Sequence, residues 1–246
     1  NMDYSIWIVI AAALVTAIMT GVGALPFFFV KNLSKRTIGF SNAAAAGLML
    51  AASYSLIAEG TSLNIILTLT GMLAGIGAII LADKILSQAG QVGIAELQGA
   101  SAAKALLILG IMTAHSFAEG VGVGVSFAGS EGLGTYITAA IAFHNIPEGL
   151  AIAMVLVPKG SPVWKVALWA IFTSLPQPIM AAPSYLFVET FRPVLPAGLG
   201  FAAGAMIWMV FAELFPDALK NVKKESAGVA VALALTGMMA FQMLVL

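Results

Sequence analysis

The chain has 246 residues, of which 61% are hydrophobic and 9% are charged, and its formal net charge is zero. A soluble domain averages about 25% charged residues, so this composition indicates an all-α, polytopic protein in a lipid bilayer. Zero net charge gives no reason to expect a nucleic-acid partner. The absence of cysteine excludes disulfides, thiolate metal sites and a cysteine nucleophile.

Eight apolar runs joined by mostly short loops are each long enough to cross a bilayer, which needs about 20 residues. The predicted spans cover residues 6–30, 38–58, 63–86, 105–127, 133–157, 164–188, 195–215 and 226–246. No soluble domain remains outside them, so residues 1–246 are predicted to form one transmembrane domain. The chain begins with Asn1 rather than Met, and we therefore expect an upstream segment.

Basic residues fall almost entirely on one side of this eight-span arrangement. Ten of the 11 lie in loops on the same side, and only Arg192 lies on the other. The ten are Lys31, Lys35, Arg36, Lys84, Lys104, Lys159, Lys165, Lys220, Lys223 and Lys224. The positive-inside rule places that side in the cytoplasm or its equivalent, so both termini are expected to be non-cytoplasmic.

Similar strings of small residues occur in the second and seventh spans, at Ala45–Leu50 and Ala202–Ile207. These spans cross in opposite directions, as expected of inverted repeats with a substrate site near the midplane. The alternative is that small residues simply suit close helix packing.

The second span also carries Met49 and, at its outer end, Glu59. A thioether is a soft metal ligand, and an end carboxylate can mark the mouth of a cation path. Both residues have plainer explanations, as a core methionine and a solvated helix end.

The fourth and fifth spans hold the only two histidines, and both follow the pattern His-x-x-x-Glu-Gly. The two copies are His115-Ser116-Phe117-Ala118-Glu119-Gly120 and His144-Asn145-Ile146-Pro147-Glu148-Gly149. Residues four apart share a helix face, so each copy presents an imidazole and a carboxylate together. Such groups are expensive in hydrocarbon unless partnered, and a metal cation would partner all of them. Two unrelated, hydrogen-bonded polar spots are the alternative.

The sixth span places Gln177 between Pro176 and Pro178, which are expected to free the carbonyls of Phe172 and Ser174. A broken helix of this kind can line a cavity. It can equally be a kinked packing helix whose Gln177 bonds to a neighbour.

The seventh span has Glu213 and Asp217 four residues apart at its inner end. They are candidates for the exit of a cation path, or are solvated residues at a helix end. Two His and two Glu at the midplane, between the fourth and fifth spans, suit a borderline divalent cation such as zinc.

The stretch His144-Asn145-Ile146-Pro147-Glu148-Gly149 matches the His-Asn-x-Pro-Glu-Gly signature of the ZIP (Zrt/Irt-like) metal transporters, which the chain resembles over nearly its whole length. The segments Ser174–Pro178 and Phe201–Met209 look closest to plant-type members, including plastid ones. The resemblance implies eight spans and elevator-like transport of Zn²⁺, with Fe²⁺, Mn²⁺ and Cd²⁺ as further substrates, toward the cytoplasm.

The resemblance also implies two adjacent metal positions. The first uses His115, Glu119, His144 and Glu148, with Met49 nearby; the second uses Ser116, Asn145, Gln177 and the two glutamates. Many members have Glu where this chain has Gln177, so the second position loses an anionic ligand. We therefore expect one tightly held metal.

Two other function classes remain open from the residues. An intramembrane zinc hydrolase would want His-Glu-x-x-His, whereas the partner at +4 is Glu here. A transport-inactive membrane subunit is the third class. The membrane, plasma or organellar, and a homodimeric state are left open by the sequence.

Overall fold

Helices make up almost all of the part of the chain that the computed structural model describes, which is residues 2–29, 34–88, 93–94, 97–98, 100–129 and 131–245. The helices are α1 Met2–Val22, α2 Lys35–Gln88, α3 Ala100–Gly129, α4 Glu131–Leu156, α5 Val163–Ser174, α6 Pro176–Leu186, α7 Val188–Phe191, α8 Leu195–Met209, α9 Phe215–Leu219 and α10 Lys224–Val245. Two two-residue strands, β1 Gly93–Ile94 and β2 Leu97–Gln98, pair antiparallel. The all-α prediction therefore holds apart from this small hairpin.

The long helix α2 is two helices joined at Asn64. A straight helix of 54 residues would be roughly 80 Å long, far more than a bilayer's hydrocarbon core of about 30 Å. Asn64 is extended (φ −160°, ψ 106°), and its side-chain oxygen accepts a hydrogen bond of 3.0 Å from the backbone N–H of Leu67. Asn64 therefore caps the second half, and the bend falls at the start of the third predicted span, residues 63–86.

Six stretches of the described residues are long and apolar enough to cross a membrane. They are Ile6–Phe29, Lys35–Ile85, Ala105–Ala128, Val163–Leu186, Leu195–Leu219 and Lys224–Leu244. The second and third predicted spans both lie in the 51-residue candidate that contains Asn64. The fifth predicted span coincides with α4, a 26-residue helix that is not among the six.

The sixth predicted span is broken at its first proline, as expected. Helix α5 ends at Ser174 and α6 begins at Pro176. The expectation that Pro176 frees the carbonyl of Phe172 is wrong, because the N–H of Leu175 donates to that carbonyl over 3.2 Å. The chain tightens into an i→i+3 bond there, which satisfies the group that the proline leaves without its usual donor.

The helices pack as two groups. The first group contains α1 and α3 to α7, and the second contains α2 and α8 to α10. The groups meet chiefly where α2 packs on α4 and where α3 packs on α8. The buried core runs through both, and large apolar side chains such as Ile66, Leu73 and Leu233 face outward, as lipid-facing residues would.

Glycines bring α2 and α8 into backbone contact within the second group. Gly71 and Gly75 of α2 lie against the carbonyls of Ala197 and Phe201, while Gly200 and Gly204 of α8 lie against carbonyls of α2. A Cβ at any of these four positions would overlap a backbone oxygen. The two small-xxx-small pairs therefore face each other, which is a recurrent way of packing helices in membranes.

Candidate metal centre

Three ionisable side chains meet inside the first helix group. The Nε2 atom of His115 lies 2.6 Å from a carboxylate oxygen of Glu148 and 3.3 Å from one of Glu119. One ligand atom from each residue lies within 4.8 Å of the other two, and all three side chains are buried. One imidazole and two carboxylates of this spacing could contact a single divalent cation, and two negative charges would balance it.

The glycine that follows each glutamate explains why these helices come so close. A Cβ on Gly120, next to Glu119, would lie 2.6 Å from the carbonyl oxygen of Gln177 on α6. A Cβ on Gly149, next to Glu148, would overlap the carbonyl of Thr20 on α1. Each His-x-x-x-Glu-Gly motif therefore supplies two candidate ligands and the contact that seats its helix against a neighbour.

Gln177 is fully buried and hydrogen-bonded to Glu119. Its Nε2 donates to the carboxylate over 2.5 Å, while its Oε1 accepts from the hydroxyl of Thr16 over 2.5 Å. Asn145 donates from Nδ2 to the same Oε1, over 3.2 Å, and to the backbone carbonyl of Thr16, over 2.8 Å. With two donors at Oε1, the amide of Gln177 has its NH₂ group turned toward Glu119.

One acceptor in this network has no hydrogen bond among the described residues. The Oδ1 atom of Asn145 is buried, and its amide nitrogen is already committed to two acceptors. A buried carbonyl oxygen without a donor is unusual, and a bound cation is one explanation for it.

Three other predicted site residues lie on α3, α2 and α4. Ser116 is buried on α3, and Met49 of α2 lines a small cavity together with Glu148. The side chain of His144 lies outside the described part of the structure, although its backbone is helical within α4.

The three predicted pathway carboxylates lie outside the buried cluster. Glu59 is exposed, and Glu213 is partly buried in the π-helical turn Val210–Leu214. Asp217 accepts a hydrogen bond of 2.8 Å from the exposed Lys220. A π turn in a helix often accompanies a functional site, whereas the Asp217–Lys220 pair is typical of a solvated helix end.

The sequence analysis missed the contribution of α1. Thr16 and Thr20 are buried, and the hydroxyl of Thr20 lies 2.7 Å from that of Ser174. The two threonines are four apart in an otherwise apolar span, a spacing that puts both hydroxyls on one face. That spacing was the available signal.

Comparison with known proteins places the chain in a family. A family model described as ZIP Zinc transporter matches residues 81–244, about two thirds of the chain. An Arabidopsis thaliana protein named as a putative zinc transporter is 49% identical over 236 residues, which cover 94% of this chain and 38% of that protein. The zinc transporter GufA of Myxococcus xanthus is 30% identical over 224 residues, which cover 85% of this chain and 87% of GufA.

A third relative matches over a shorter stretch of the chain. The zinc transporter ZIPB of Bordetella bronchiseptica is 33% identical over 139 residues, which cover 54% of this chain and 45% of ZIPB. The chain spans well under half the length of the plant relative, so it corresponds to only part of that protein. On the extent of the family match and the near full-length similarity to GufA, the chain belongs to the ZIP zinc transporter family.

Proposed function

We propose that the protein transports divalent transition-metal cations, zinc first, across a membrane toward the cytoplasm or its equivalent. The observation that carries this proposal is the buried cluster of His115, Glu119 and Glu148, of which the first two lie on α3, a helix long and apolar enough to cross a membrane. Buried ionisable groups in such helices commonly mark an ion pathway. Its relatives are named as zinc transporters, and the family is one of transporters rather than enzymes.

The transported metal is proposed to bind His115, Glu119, His144 and Glu148, with Met49 beside them. His144 belongs to this set because it stands four residues before Glu148, as His115 does before Glu119. A mixture of nitrogen and oxygen ligands with one thioether suits Zn²⁺ and also admits Fe²⁺, Mn²⁺ or Cd²⁺.

A second metal position near Ser116, Asn145 and Gln177 is proposed to be weak. The NH₂ group of Gln177 already donates a hydrogen bond to one carboxylate oxygen of Glu119. A second dication there would displace that donor and would add charge that no further carboxylate balances. The unpaired oxygen of Asn145 is the one feature that favours a ligand at this position.

Residues 1–246 are proposed to form one transmembrane domain of eight spans, with inverted repeats and both termini non-cytoplasmic. The bend at Asn64 supports dividing α2 into two spans, and α4 supplies the remaining one. The basic loop residues support the orientation.

Transport is proposed to occur by sliding of the first helix group, which holds the metal, against the second. Among the described glycines, each one at which an added Cβ would come within 3 Å of a neighbouring atom packs against its own helix group, as Gly120, Gly149 and Gly204 do. The glycine contact between groups, Gly198 to Ala118, is an ordinary 3.7 Å. Rigid packing within each group and looser packing between them is what an elevator-like motion requires.

The proposal also covers the two ends of the cation path. Glu59 at one end, and Glu213 with Asp217 at the other, are proposed to attract cations to the two mouths of the path. A homodimer and a plasma or plastid membrane location stay predictions from the resemblance.

Zinc flux into proteoliposomes tests the proposal. Glu119→Gln and Glu148→Gln each remove one charge of the cluster with little change in shape, and we expect each to lower flux at least tenfold. Glu225→Gln is the matched control, because Glu225 is 70% exposed at the start of α10. Wild-type protein that folds but moves no divalent cation would instead support the transport-inactive alternative.

A further inference from the structure

One residue of α1 contacts both amide side chains beside the candidate metal centre. The backbone carbonyl of Thr16 accepts a hydrogen bond of 2.8 Å from Nδ2 of Asn145, on α4. The hydroxyl of Thr16 lies 2.5 Å from Oε1 of Gln177, on α6. All three residues are fully buried. Thr16 can therefore act on the metal centre through Asn145 and Gln177.

The backbone carbonyl of Thr16 fixes the direction of the hydrogen bonds that follow. A carbonyl can only accept, so the atom of Asn145 that faces it must be the NH₂ nitrogen. That nitrogen also lies 3.2 Å from Gln177 and needs an acceptor there, which is Oε1. The NH₂ group of Gln177 then faces the carboxylate of Glu119, over 2.5 Å. We call these four residues, Thr16, Asn145, Gln177 and Glu119, the amide relay.

The Thr16 hydroxyl is the closer of the two donors that hold Gln177. Its single hydrogen can go to the carbonyl of Ala13, 2.7 Å away, or to Oε1 of Gln177, and Oε1 is nearer. Asn145 is the second donor, at 3.2 Å. Without the hydroxyl, the Gln177 amide would be held less firmly, because the last torsion of a glutamine side chain has a broad energy well.

The amide relay limits how Glu119 can bind a metal. One carboxylate oxygen of Glu119 accepts the hydrogen bond from Gln177, and the other lies 3.3 Å from Nε2 of His115, inside the cluster. Glu119 therefore offers a cation one oxygen rather than two. Zinc is commonly held by four ligand atoms, whereas Mn²⁺ prefers an octahedral shell of oxygens. A carboxylate confined to one oxygen favours the ion that needs fewer ligands.

We infer that Thr16 is a positioning residue that sets the preference of this site for zinc over oxygen-seeking dications such as Mn²⁺. It acts through Gln177, which keeps one oxygen of Glu119 occupied. The inference rests on the proposed function, because it takes the cluster of His115, Glu119 and Glu148 to be the metal site. It adds a determinant of metal selectivity on α1, which supplies none of the candidate ligands.

Competition between Zn²⁺ and Mn²⁺ for the purified full chain tests the inference. Thr16→Val removes the hydroxyl and keeps the shape of the side chain. Equilibrium dialysis should then give a ratio of zinc to manganese affinity about fivefold lower than in the wild type, which corresponds to the loss of one hydrogen bond of ordinary strength. Thr16→Ser keeps a hydroxyl and should restore the wild-type ratio. A general loss of packing would weaken the binding of both metals alike and leave the ratio unchanged.

Thr20→Val is the matched control. Thr20 is also buried on α1, four residues from Thr16, and its hydroxyl lies 2.7 Å from that of Ser174. The substitution removes a buried hydroxyl outside the amide relay, so the affinity ratio should equal that of the wild type. Gln177→Leu breaks the relay itself. In that background Thr16→Val should change the ratio no further, because Thr16 acts through Gln177.

An unchanged ratio in Thr16→Val would overturn the inference, and so would an equal fall in Thr20→Val or a further fall when Thr16→Val is added to Gln177→Leu. If Thr16→Val does not fold, Thr16→Ala decides by the same ratio, because its smaller side chain cannot overpack the site. Zinc flux into proteoliposomes, measured on the same preparation, separates the two proposals. Flux with an unchanged ratio would refute the role of Thr16 alone, whereas a lowered ratio together with no wild-type flux would refute transport alone.

Discussion

Replacing Gln177 by glutamate should convert the site from one that binds one zinc ion to one that binds two. In the wild type, the Gln177 amide donates to a carboxylate oxygen of Glu119 over 2.5 Å. A hydrogen bond to a charged group is worth about 2 kcal/mol, and the substitution removes it. It also puts a second carboxylate oxygen where the NH₂ group was.

The magnitude follows from that distance. Two unit charges about 2.5 Å apart repel by about 7 kcal/mol at an effective dielectric constant of about 20. In the wild type, Thr16 and Asn145 both donate to Oε1 of Gln177. The same two donors would hold a glutamate at position 177 in that orientation, with its second oxygen facing Glu119. Metal-free Gln177→Glu should therefore be markedly less stable than the wild type unless the pair binds a proton or a cation.

Metal-dependent thermal unfolding and equilibrium dialysis together measure this effect. Zinc should raise the unfolding temperature of Gln177→Glu more than that of the wild type, and the number of zinc ions bound per chain should rise from one toward two. Gln242→Glu is the control for adding a buried carboxylate elsewhere in the protein, because Oε1 of Gln242 accepts a hydrogen bond from the hydroxyl of Ser55. Two equally tight zinc ions in the wild type would refute the reasoning, as would a Gln177→Glu protein with unchanged stoichiometry and zinc response.

Three further predictions follow from single residues. His144→Ala should remove most zinc flux while leaving the detergent-solubilised protein folded; wild-type flux would exclude His144 as a ligand. Lys223→Cys, the only thiol in such a chain, should react with a membrane-impermeant maleimide only from the cytoplasmic side, and labelling of intact cells from outside would reverse the topology. Asn64→Ala should lower the stability by about 1 kcal/mol through loss of its cap on Leu67, and an unchanged unfolding midpoint would show that the cap contributes nothing.

Much of the candidate site could be predicted from spacing alone. His115 and Glu119 are four apart, and four residues on a helix return to the same face whatever else the chain does. Pro176 interrupts a helix through its own covalent structure, and α5 does end just before it. The role of Asn64 was missed although asparagine is a common cap, because residue 64 falls just inside the third predicted span, residues 63–86.

The sequence by itself determined the membrane class, the helical character and the spacing of four residues between each histidine and a glutamate, since composition and helical periodicity are local properties. Only the tertiary structure decided which groups from different helices meet. Thr16 lies 161 residues from Gln177, yet its hydroxyl helps to turn the Gln177 amide toward Glu119. Such contacts depend on helix packing, and that packing depends on glycines such as Gly120 and Gly149, where a missing side chain admits a neighbouring backbone.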